Sequence, residues 1–247
     1  MAEDANVALL KEGLAGFGLD PRPEAVAALF HHLDLVREWN ERINLTAITS
    51  EREMVVKHVL DSGSGLQVAR LEPGSQVLDV GTGAGFPGVV WKCLVPGIRL
   101  TLLESLQKRC RFLGEVGEAV VKPLAGEPTG YRVLWGRAEE LGRVSEHREA
   151  YDVVTARAVA ELRILAEYCL PFVKVGGLFL GMKGPAVSDE VEAARSAIEA
   201  LGGKVEEISE LELLADGGRR SLVAVRKVRP TPKAYPRKAG TPAKHPL

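Results

Sequence analysis

Cysteine is scarce in this chain of 247 residues, which contains only Cys93, Cys110 and Cys169. No two of them form a Cys-x-x-Cys pair and no histidine lies beside them, so the pattern argues against zinc and we expect no metal. All three lie in apolar or helical contexts. We therefore interpret them as buried thiols of a protein from a reducing compartment, the cytoplasm.

A long apolar run and an apolar signal core are also lacking. The chain begins with the acidic segment Met1-Ala2-Glu3-Asp4, and none of its hydrophobic runs approaches the ~20 residues of a membrane-spanning helix. We therefore expect no contact with a membrane. Aromatic residues amount to 5%, which argues against an extended surface on which bases stack.

Acidic side chains are absent from the last part of the chain. No Asp or Glu follows Asp216, whereas nine basic residues do: Arg219, Arg220, Arg226, Lys227, Arg229, Lys233, Arg237, Lys238 and Lys244. These nine leave 23 basic residues for the rest of the chain, against all 33 acidic ones, so that part has a net charge of −10. A basic end on an acidic body indicates a polyanionic partner, although solvated surface charge explains it equally well.

Hydrophobic periodicity divides the chain into three parts. Hydrophobic residues make up 46% of it, which is enough for a full core, and a helical pattern covers the N-terminal part until Glu72-Pro73-Gly74 breaks it. We predict a helical N-terminal extension packed on an α/β body, followed by a basic tail rich in Pro, Lys and Arg. The three ranges are 1–72, 73–229 and 230–247.

One helix of the N-terminal part carries polar residues. Ser50 and Glu53 match a capping box that opens this helix, and Asp61-Ser62 is expected to end it. His58 and Asp61 are three residues apart, so they share one face. A satisfied structural pair is the favoured interpretation, and a pair that contacts substrate is the alternative.

After residue 73, short apolar runs alternate with helical patterns, which predicts parallel βαβ units. The predicted strands span 76–80, 98–103, 131–134, 152–156 and 178–182. A hairpin-like pair, 204–211 and 221–227, would add an antiparallel edge. The predicted helices between the strands span 106–117, 139–144, 162–173 and 186–201.

The first strand leads into a glycine-rich turn that predicts a site for a nucleotide-like ligand. Gly81 and Gly83 allow positive φ angles, Gly85 lets a ligand approach the main chain, and the next helix points its free N–H groups at the site. Gly83, Gly85 and Gly88 also match the dinucleotide pattern G-x-G-x-x-G. Asp79 precedes the turn.

A carboxylate after the second strand makes this pattern more specific. Glu104 lies nineteen residues past Gly85, where it can accept hydrogen bonds from ribose hydroxyls. Asp79, the alternating glycines and Glu104 together resemble the cofactor site of S-adenosylmethionine (SAM) methyltransferases. In those enzymes the first acid supports the turn and faces the methionine moiety.

Ligands of such sheets lie beyond the carboxyl ends of the strands, which selects further residues. Ser105 and Leu106 follow the second strand. Ala138 and Glu139 follow the third; Glu139 either meets an adenine amino group or is an ordinary first-turn acid. Arg157 follows the fourth strand beside the methyl-donor position. Its alternative role is an ion pair, with the carboxylates of Asp79, Glu104 or Glu161 as the expected partners.

The residues after the fourth strand limit the reaction. They include no cysteine for attack on a pyrimidine carbon and no Asn/Asp-Pro-Pro-aromatic motif for an exocyclic amine. With no general base, Arg157 is expected to act by positioning, and an acceptor that is already nucleophilic is favoured. Guanine N7, which has a free lone pair in the ring plane, is such an acceptor.

Several motifs together resemble one family. They are Asn44-Leu45-Thr46, His58 with Leu60-Asp61-Ser62, the stretch from Asp79 to Gly88, Thr155-Ala156-Arg157-Ala158, Lys183-Gly184, and the ending Tyr235-Pro236-Arg237-Lys238-Ala239-Gly240-Thr241-Pro242. From about Leu29 to its end, the chain resembles the bacterial glucose-inhibited division protein B family, the 16S ribosomal RNA guanine-N7 methyltransferases.

The resemblance implies a Rossmann-like, seven-stranded class I sheet with helices on both faces, as in SAM-dependent methyltransferases. It implies SAM as the cofactor and 16S ribosomal RNA or a small-subunit particle as the partner, with N7 of guanine 527 as the acceptor. No protein partner is evident. The implied cofactor contacts are Gly81, Phe86, Glu104, Ser105, Leu106, Ala138, Glu139 and Arg157.

Under this interpretation two groups of residues would meet the RNA. Asn44, His58, Asp61 and Lys183 could border the guanine pocket. Basic residues near the C-terminus would meet phosphates and carry little sequence information: Arg219, Arg220, Arg226, Lys227, Arg237 and Lys238.

Two other functions remain open at this point. An NAD-dependent oxidoreductase would explain the dinucleotide pattern, although Asp79 and the lack of a clear hydride-transfer pair count against it. A non-catalytic RNA-binding assembly factor on a methyltransferase fold is the other alternative, and the intact site residues weigh against it.

Replacing Arg219 and Lys238 by Glu should weaken RNA binding and leave SAM affinity intact, because phosphate contacts are separate from the donor site. Each lost contact should reduce the slope of log affinity against log salt concentration by roughly one. Filter binding at several salt concentrations, with calorimetry for SAM, checks this; an equal loss of both affinities would contradict it.

Overall fold

The computed structural model describes residues 2–157 and 160–247, so Ala158, which the sequence analysis grouped with Arg157, lies outside the described residues. Seven strands form one sheet within the described part. In chain order they are β1 Gln76–Val80, β2 Arg99–Glu104, β3 Tyr131–Trp135, β4 Tyr151–Arg157, β5 Val173–Lys183, β6 Gly203–Leu213 and β7 Gly218–Lys227.

The strand order is β3-β2-β1-β4-β5-β7-β6. Strands β1 to β5 run parallel, and β7 is antiparallel to both β5 and β6. This arrangement confirms the predicted α/β sheet with an antiparallel pair at one edge. The order reverses between β1 and β4, and sheets of this kind bind ligands beyond the carboxyl ends of the strands at that point.

Helices cover both faces of the sheet. Before β1 lie α1 Ala2–Gly16, α2 Pro23–Asn40, α3 Glu51–Met54, a π-helical segment Val55–Leu60, α4 Asp61–Ser64 and α5 Leu66–Ala69. Between β1 and β4 lie α6 Gly88–Leu94, α7 Gln107–Val116, a second π-helical segment Gly117–Val121, α8 Lys122–Ala125 and α9 Ala138–Leu141. The remainder are α10 Leu162–Cys169, a 3₁₀ turn Leu170–Phe172, α11 Ser188–Ala200 and α12 Thr241–Lys244.

The sheet has a core on each face because successive side chains of a strand point to opposite sides. On one face, Val77 belongs to a cluster with Leu29 and Val36 of α2, which confirms that the apolar stripe of this helix serves packing. On the other face, Leu78 belongs to a cluster with α10 and α11. The N-terminal helices therefore share one core with the sheet.

Two details of the predicted helix at residue 50 are wrong. It begins after Ser50, but the structure contains no capping hydrogen bond from that side chain, and Glu53, the other member of the predicted box, pairs with Lys57 instead. Nor do Asp61 and Ser62 end it, since helical structure continues to Ala69. Both are buried, and the Ser62 hydroxyl donates to the carbonyl of His58.

The C-terminal segment, residues 230–247, folds back across α9 and α10. Thr231, Pro236 and Pro242 are buried. The guanidinium of Arg148 donates to the carbonyls of Thr231 and Tyr235, at 2.7 and 2.9 Å. The basic tail is thus attached to the α/β body by hydrogen bonds to its main chain.

Gly88 should tolerate no side chain. A Cβ there would lie 2.6 Å from Cδ2 of Leu102 and 2.9 Å from Oδ2 of Asp79. Gly88→Ala should therefore lower the free energy of unfolding by about 1–3 kcal/mol. The control is Gly114→Ala, at an exposed helical position where a Cβ meets nothing within 4 Å and should add ~0.5–1 kcal/mol. Urea unfolding of both variants measures the difference, and equal shifts would contradict the explanation.

Candidate active site

Three adjoining cavities follow the carboxyl ends of the strands. The inner cavity, about 120 Å³, is lined by Ala138, Glu139 and Tyr168 among others. It shares Gly81 and Ser105 with the central cavity, about 380 Å³. The central cavity in turn shares His58 and Arg157 with the outer cavity, about 330 Å³. A larger cavity of about 810 Å³ lies at the opposite, amino ends of β1 to β4, away from all of these residues.

The glycine turn forms one wall of the central cavity. Gly81 and Gly83 have φ angles of 69° and 60°, which confirms that both need the left-handed region. The explanation given for Gly85 is wrong, because the space left by its missing side chain is filled by protein. A Cβ there would lie 2.6 Å from Cγ2 of Val89 and 3.3 Å from Nε2 of His32.

Asp79 holds the two ends of this turn together. Its Oδ2 accepts hydrogen bonds from the Thr82 hydroxyl at 2.6 Å and from the Gly88 N–H at 2.9 Å. The first N–H of α6 therefore points at Asp79, and the prediction that it faces a ligand is wrong. The carboxylate is fully buried, and burial raises its pKa to about 6 against the opposing effect of these hydrogen bonds.

Glu104 joins the turn to the segment after β2. Its Oε2 accepts the Gly83 N–H at 3.1 Å, and its Oε1 accepts the Leu106 N–H at 2.8 Å. The side chain is buried but lines the central cavity. Nη1 of Arg109 lies 3.7 Å from Oε2 and keeps a positive charge nearby.

Arg157 stands between the central and outer cavities. Its Nη1 donates to Oδ2 of Asp61 at 2.8 Å and to the carbonyl of Lys57 at 3.0 Å. Its guanidinium carbon lies 5.3 Å from the centre of the Phe86 ring, within the range of a cation–π contact. The predicted ion-pair partners, Asp79, Glu104 and Glu161, were wrong, because the N-terminal helices supply Asp61 instead.

Two histidines pack against Phe86 and are held neutral. The ring of His58 lies 4.6 Å from that of Phe86, and the ring of His32 lies 4.8 Å from it. Burial lowers the pKa of His58 to about 3, with a further effect from the Arg157 charge. Burial likewise lowers the pKa of His32 to about 4. Neutral imidazoles beside the central cavity do not repel a cationic ligand.

Four of the residues predicted to meet the RNA line the outer cavity. Asp61 bridges two of the cations there, because its Oδ1 accepts Nε of Arg220 at 3.1 Å while its Oδ2 binds Arg157. The ammonium of Lys183 lies 2.7 Å from Oε1 of Glu190. His58 is the fourth. The structure thus brings together groups that are far apart in the sequence.

The other residues predicted to contact RNA differ in how exposed they are. Arg219, Lys238 and the side chain of Asn44 are exposed, and Arg226 pairs with Glu206 at 2.7 Å. The prediction for Lys227 is wrong. Its ammonium is fully buried, it donates to the carbonyl of Leu170 at 2.6 Å, and burial lowers its pKa to about 8.

Two further residues have partners that the sequence did not predict. The guanidinium of Arg237 is engaged inside the protein by Glu167, against the predicted phosphate contact. Glu139 is buried at the inner cavity, where its Oε1 accepts the Gly240 N–H at 2.8 Å. It is therefore more than a first-turn acid, since it also binds the tail.

Several site residues escaped the sequence analysis. Thr82 lies inside the glycine turn and Arg109 follows Glu104 closely, so both could have been found from their positions. Thr46 lay in a quoted motif without a role, and it contacts Nε2 of His58 at 2.9 Å. Nothing in the sequence singled out His32 or Tyr168, because their place depends on the packing of distant helices.

The described residues contain no group of three or more His, Cys, Asp or Glu side chains arranged to hold a metal ion. Among them no helix combines the length and apolar character that crossing a bilayer requires.

Comparison with known proteins relates the chain to one family. A model of that family, described as "rRNA small subunit methyltransferase G", matches residues 25–222. The chain is 70% identical over 239 residues to a ribosomal RNA small subunit methyltransferase G from Symbiobacterium thermophilum, covering 97% of each chain. A protein of the same name from Alkaliphilus metalliredigens is 47% identical, covering 97% of this chain and 98% of its own.

Solved structures share the fold at low sequence identity. A predicted O-methyltransferase from Agrobacterium tumefaciens has a TM-score of 0.53 at 19% identity, covering 70% of this chain and 81% of its own. Pyrococcus horikoshii TYW2 in complex with MeSAdo has a TM-score of 0.52 at 16% identity, covering 69% and 62%. At this identity the likeness concerns the fold alone.

His32 should make stability depend on pH between about 6.5 and 4. His32 binds a proton near pH 6.5 in the unfolded chain but only near pH 4 in the folded one. Its contribution to the free energy of unfolding is therefore fully present above pH 6.5 and is lost as the pH falls. At pH 5 the loss due to His32 is ~2 kcal/mol. Urea unfolding at pH 8 and pH 5 should show a smaller loss for His32→Gln, whereas His245→Gln, which replaces an exposed histidine of the C-terminal segment, should leave it unchanged. Equal losses in both variants would contradict this assignment.

Proposed function

Since this chain belongs to the rRNA small subunit methyltransferase G family, we propose that it transfers the methyl group of SAM to N7 of a guanine in 16S ribosomal RNA. The observation that carries the proposal is the junction of two cavities at His58 and Arg157. A donor and an acceptor that occupy adjoining cavities can meet there in line, which a displacement reaction requires.

The inner and central cavities fit the methyl donor. They adjoin at Gly81 and Ser105, and their linings run from Ala138 and Glu139, past Gly81, to Arg157. An adenine ring suits the narrow inner cavity, and Glu104 stands where ribose hydroxyls would lie. The methionine part would rest against the glycine turn, near the buried Oδ1 of Asp79, which has no partner among the described residues.

The outer cavity fits a single purine base. Met182 and Ile48 supply apolar wall, and Asp61, Lys183 and Arg220 supply charged groups that can bind the polar edge of guanine. A base can reach this cavity only if it leaves its stack, so the target is an unpaired or flipped guanine. Exposed Arg219, which adjoins Arg220 of this cavity, would then bind a phosphate beside the base, and exposed Lys238 would bind one farther along the RNA.

The protein contributes position rather than proton transfer. When bound, SAM would supply an electrophilic methyl group, whose bond to sulfur would break as guanine N7 forms the new bond, and N7 would need to lose no proton first. Asp61 fixes Arg157 at the junction, and Arg157 and Phe86 hold the reacting groups in place. Nδ1 of His58 faces the Arg157 guanidinium, which can only donate, and Nε2 contacts the Thr46 hydroxyl; burial keeps this imidazole neutral beside the positive charge that would pass from donor to base.

Arg157→Gln should lower kcat/KM for methylation of 16S RNA by about 100-fold, because misplaced groups at the junction no longer align. The matched control is Arg163→Gln, which removes an exposed guanidinium paired with Glu161 and should retain full activity. The substrate is 16S RNA, free or in small subunits, from a strain in which this guanine is not methylated. Labelled SAM measures the rate, and cleavage at N7-methylguanine maps the product.

The outcomes separate the remaining hypotheses. RNA binding without any methyl incorporation by the unaltered protein would favour a non-catalytic assembly factor. Calorimetry that detects NAD binding but no SAM binding would favour an oxidoreductase. An early-melting Arg157→Gln variant that binds neither SAM nor RNA would make Arg157 a structural residue.

A further inference from the structure

The C-terminal segment reaches the wall of the inner cavity. The N–H of Gly240 donates to Oε1 of Glu139 at 2.8 Å, and Glu139 lines that cavity although only 5% of it is exposed. A residue near the end of the chain therefore helps to set the direction of a carboxylate 101 positions earlier.

A second contact anchors the same segment beside the same cavity. Nη2 of Arg237 donates to Oε2 of Glu167 at 2.6 Å, and the main-chain N–H of Arg237 donates to Oε1 at 2.7 Å. The Glu167 side chain is only 1% exposed. Its neighbour Tyr168 lines the inner cavity, so the anchor and the cavity share one turn of α10.

Packing joins these two polar contacts. Pro236 is buried, and a Cβ on Gly142, just after α9, would lie 3.2 Å from Cγ of Pro236. Tyr235 packs against the core cluster that contains Ala138, another residue of the inner cavity. The segment therefore supports α9, which carries Ala138 and Glu139.

We propose that residues 230–242 act as a positioning element of the methyl-donor site, which they serve by holding Glu139 and α9 in the orientation that receives the adenine. The inference rests on the proposed function, because it takes the inner cavity as the adenine site. Glu139 is then a bridging carboxylate between donor and tail, and its role in the reaction is positioning.

Coupling of this kind acts in both directions. If the docked tail raises SAM affinity by some factor, bound SAM must stabilise the docked tail by the same factor. Ordering α9 costs conformational entropy only once, and that cost falls on SAM or the tail, whichever binds first. SAM should therefore slow exchange of the Gly240 amide hydrogen, even though that amide belongs to the tail.

The anchor at Glu167 can be removed without leaving a buried charge. The double variant Glu167→Leu with Arg237→Met removes both partners of the anchor, and the matched control is Glu192→Leu with Arg195→Met, an exposed pair on α11. We expect calorimetry to show SAM affinity lowered by about 5- to 150-fold in the first variant and unchanged in the control. The melting temperature without SAM verifies that both variants fold. Unchanged SAM affinity in a folded variant whose tail amides exchange freely would overturn the proposal.

A second measurement needs no variant. Hydrogen exchange of the unaltered protein, with and without SAM, should show slower exchange in residues 235–242 when SAM is bound. Equal exchange rates at saturating SAM would overturn the inference. Failure of the unaltered protein to bind SAM in calorimetry would instead overturn the proposed function, so the two failures are distinguishable.

Discussion

The carboxylate of Asp61 is the contact on which the site depends. It accepts Arg157 from the end of β4 and Arg220 from β7, while it stands itself on α4. One buried anion thus connects the N-terminal helices, the middle of the sheet and its antiparallel edge. Two guanidiniums offset the cost of burying the charge, and removing either partner alone would leave an ion poorly compensated. Its value lies in geometry, since it fixes Arg157 where two cavities meet.

The strands and the glycine turn could be predicted because their signals are local. The first strand was predicted at its observed bounds, and Gly81 and Gly83 take the positive φ angles that the turn requires. The end of α10 was harder. The predicted helix ran to residue 173, where β5 already begins, because an apolar run such as Leu170–Phe172 suits a helix and a buried strand equally.

Partners that are distant in the chain could not be predicted. Arg157 and Asp61 are 96 positions apart, and no periodicity reveals which carboxylate meets a given guanidinium. The basic C-terminal end misled for a related reason. Lys227 and Arg237 contribute to the charge excess in the sequence, yet both are engaged inside the fold by Leu170 and Glu167. Composition counts charges but does not report whether each one lies on the surface or in the interior.

The π-helical segment Val55–Leu60 makes the length of this stretch matter more than its composition. A π turn holds more residues than an α turn, so it shifts the face on which the following residues stand. Each residue of an α-helix turns the face by about 100°. Removing one residue between Val55 and Leu60 would let the segment close into regular α-helix and would carry Asp61 away from both arginines. Substitutions at its apolar positions change packing, whereas a change of length would take apart the junction of donor and acceptor.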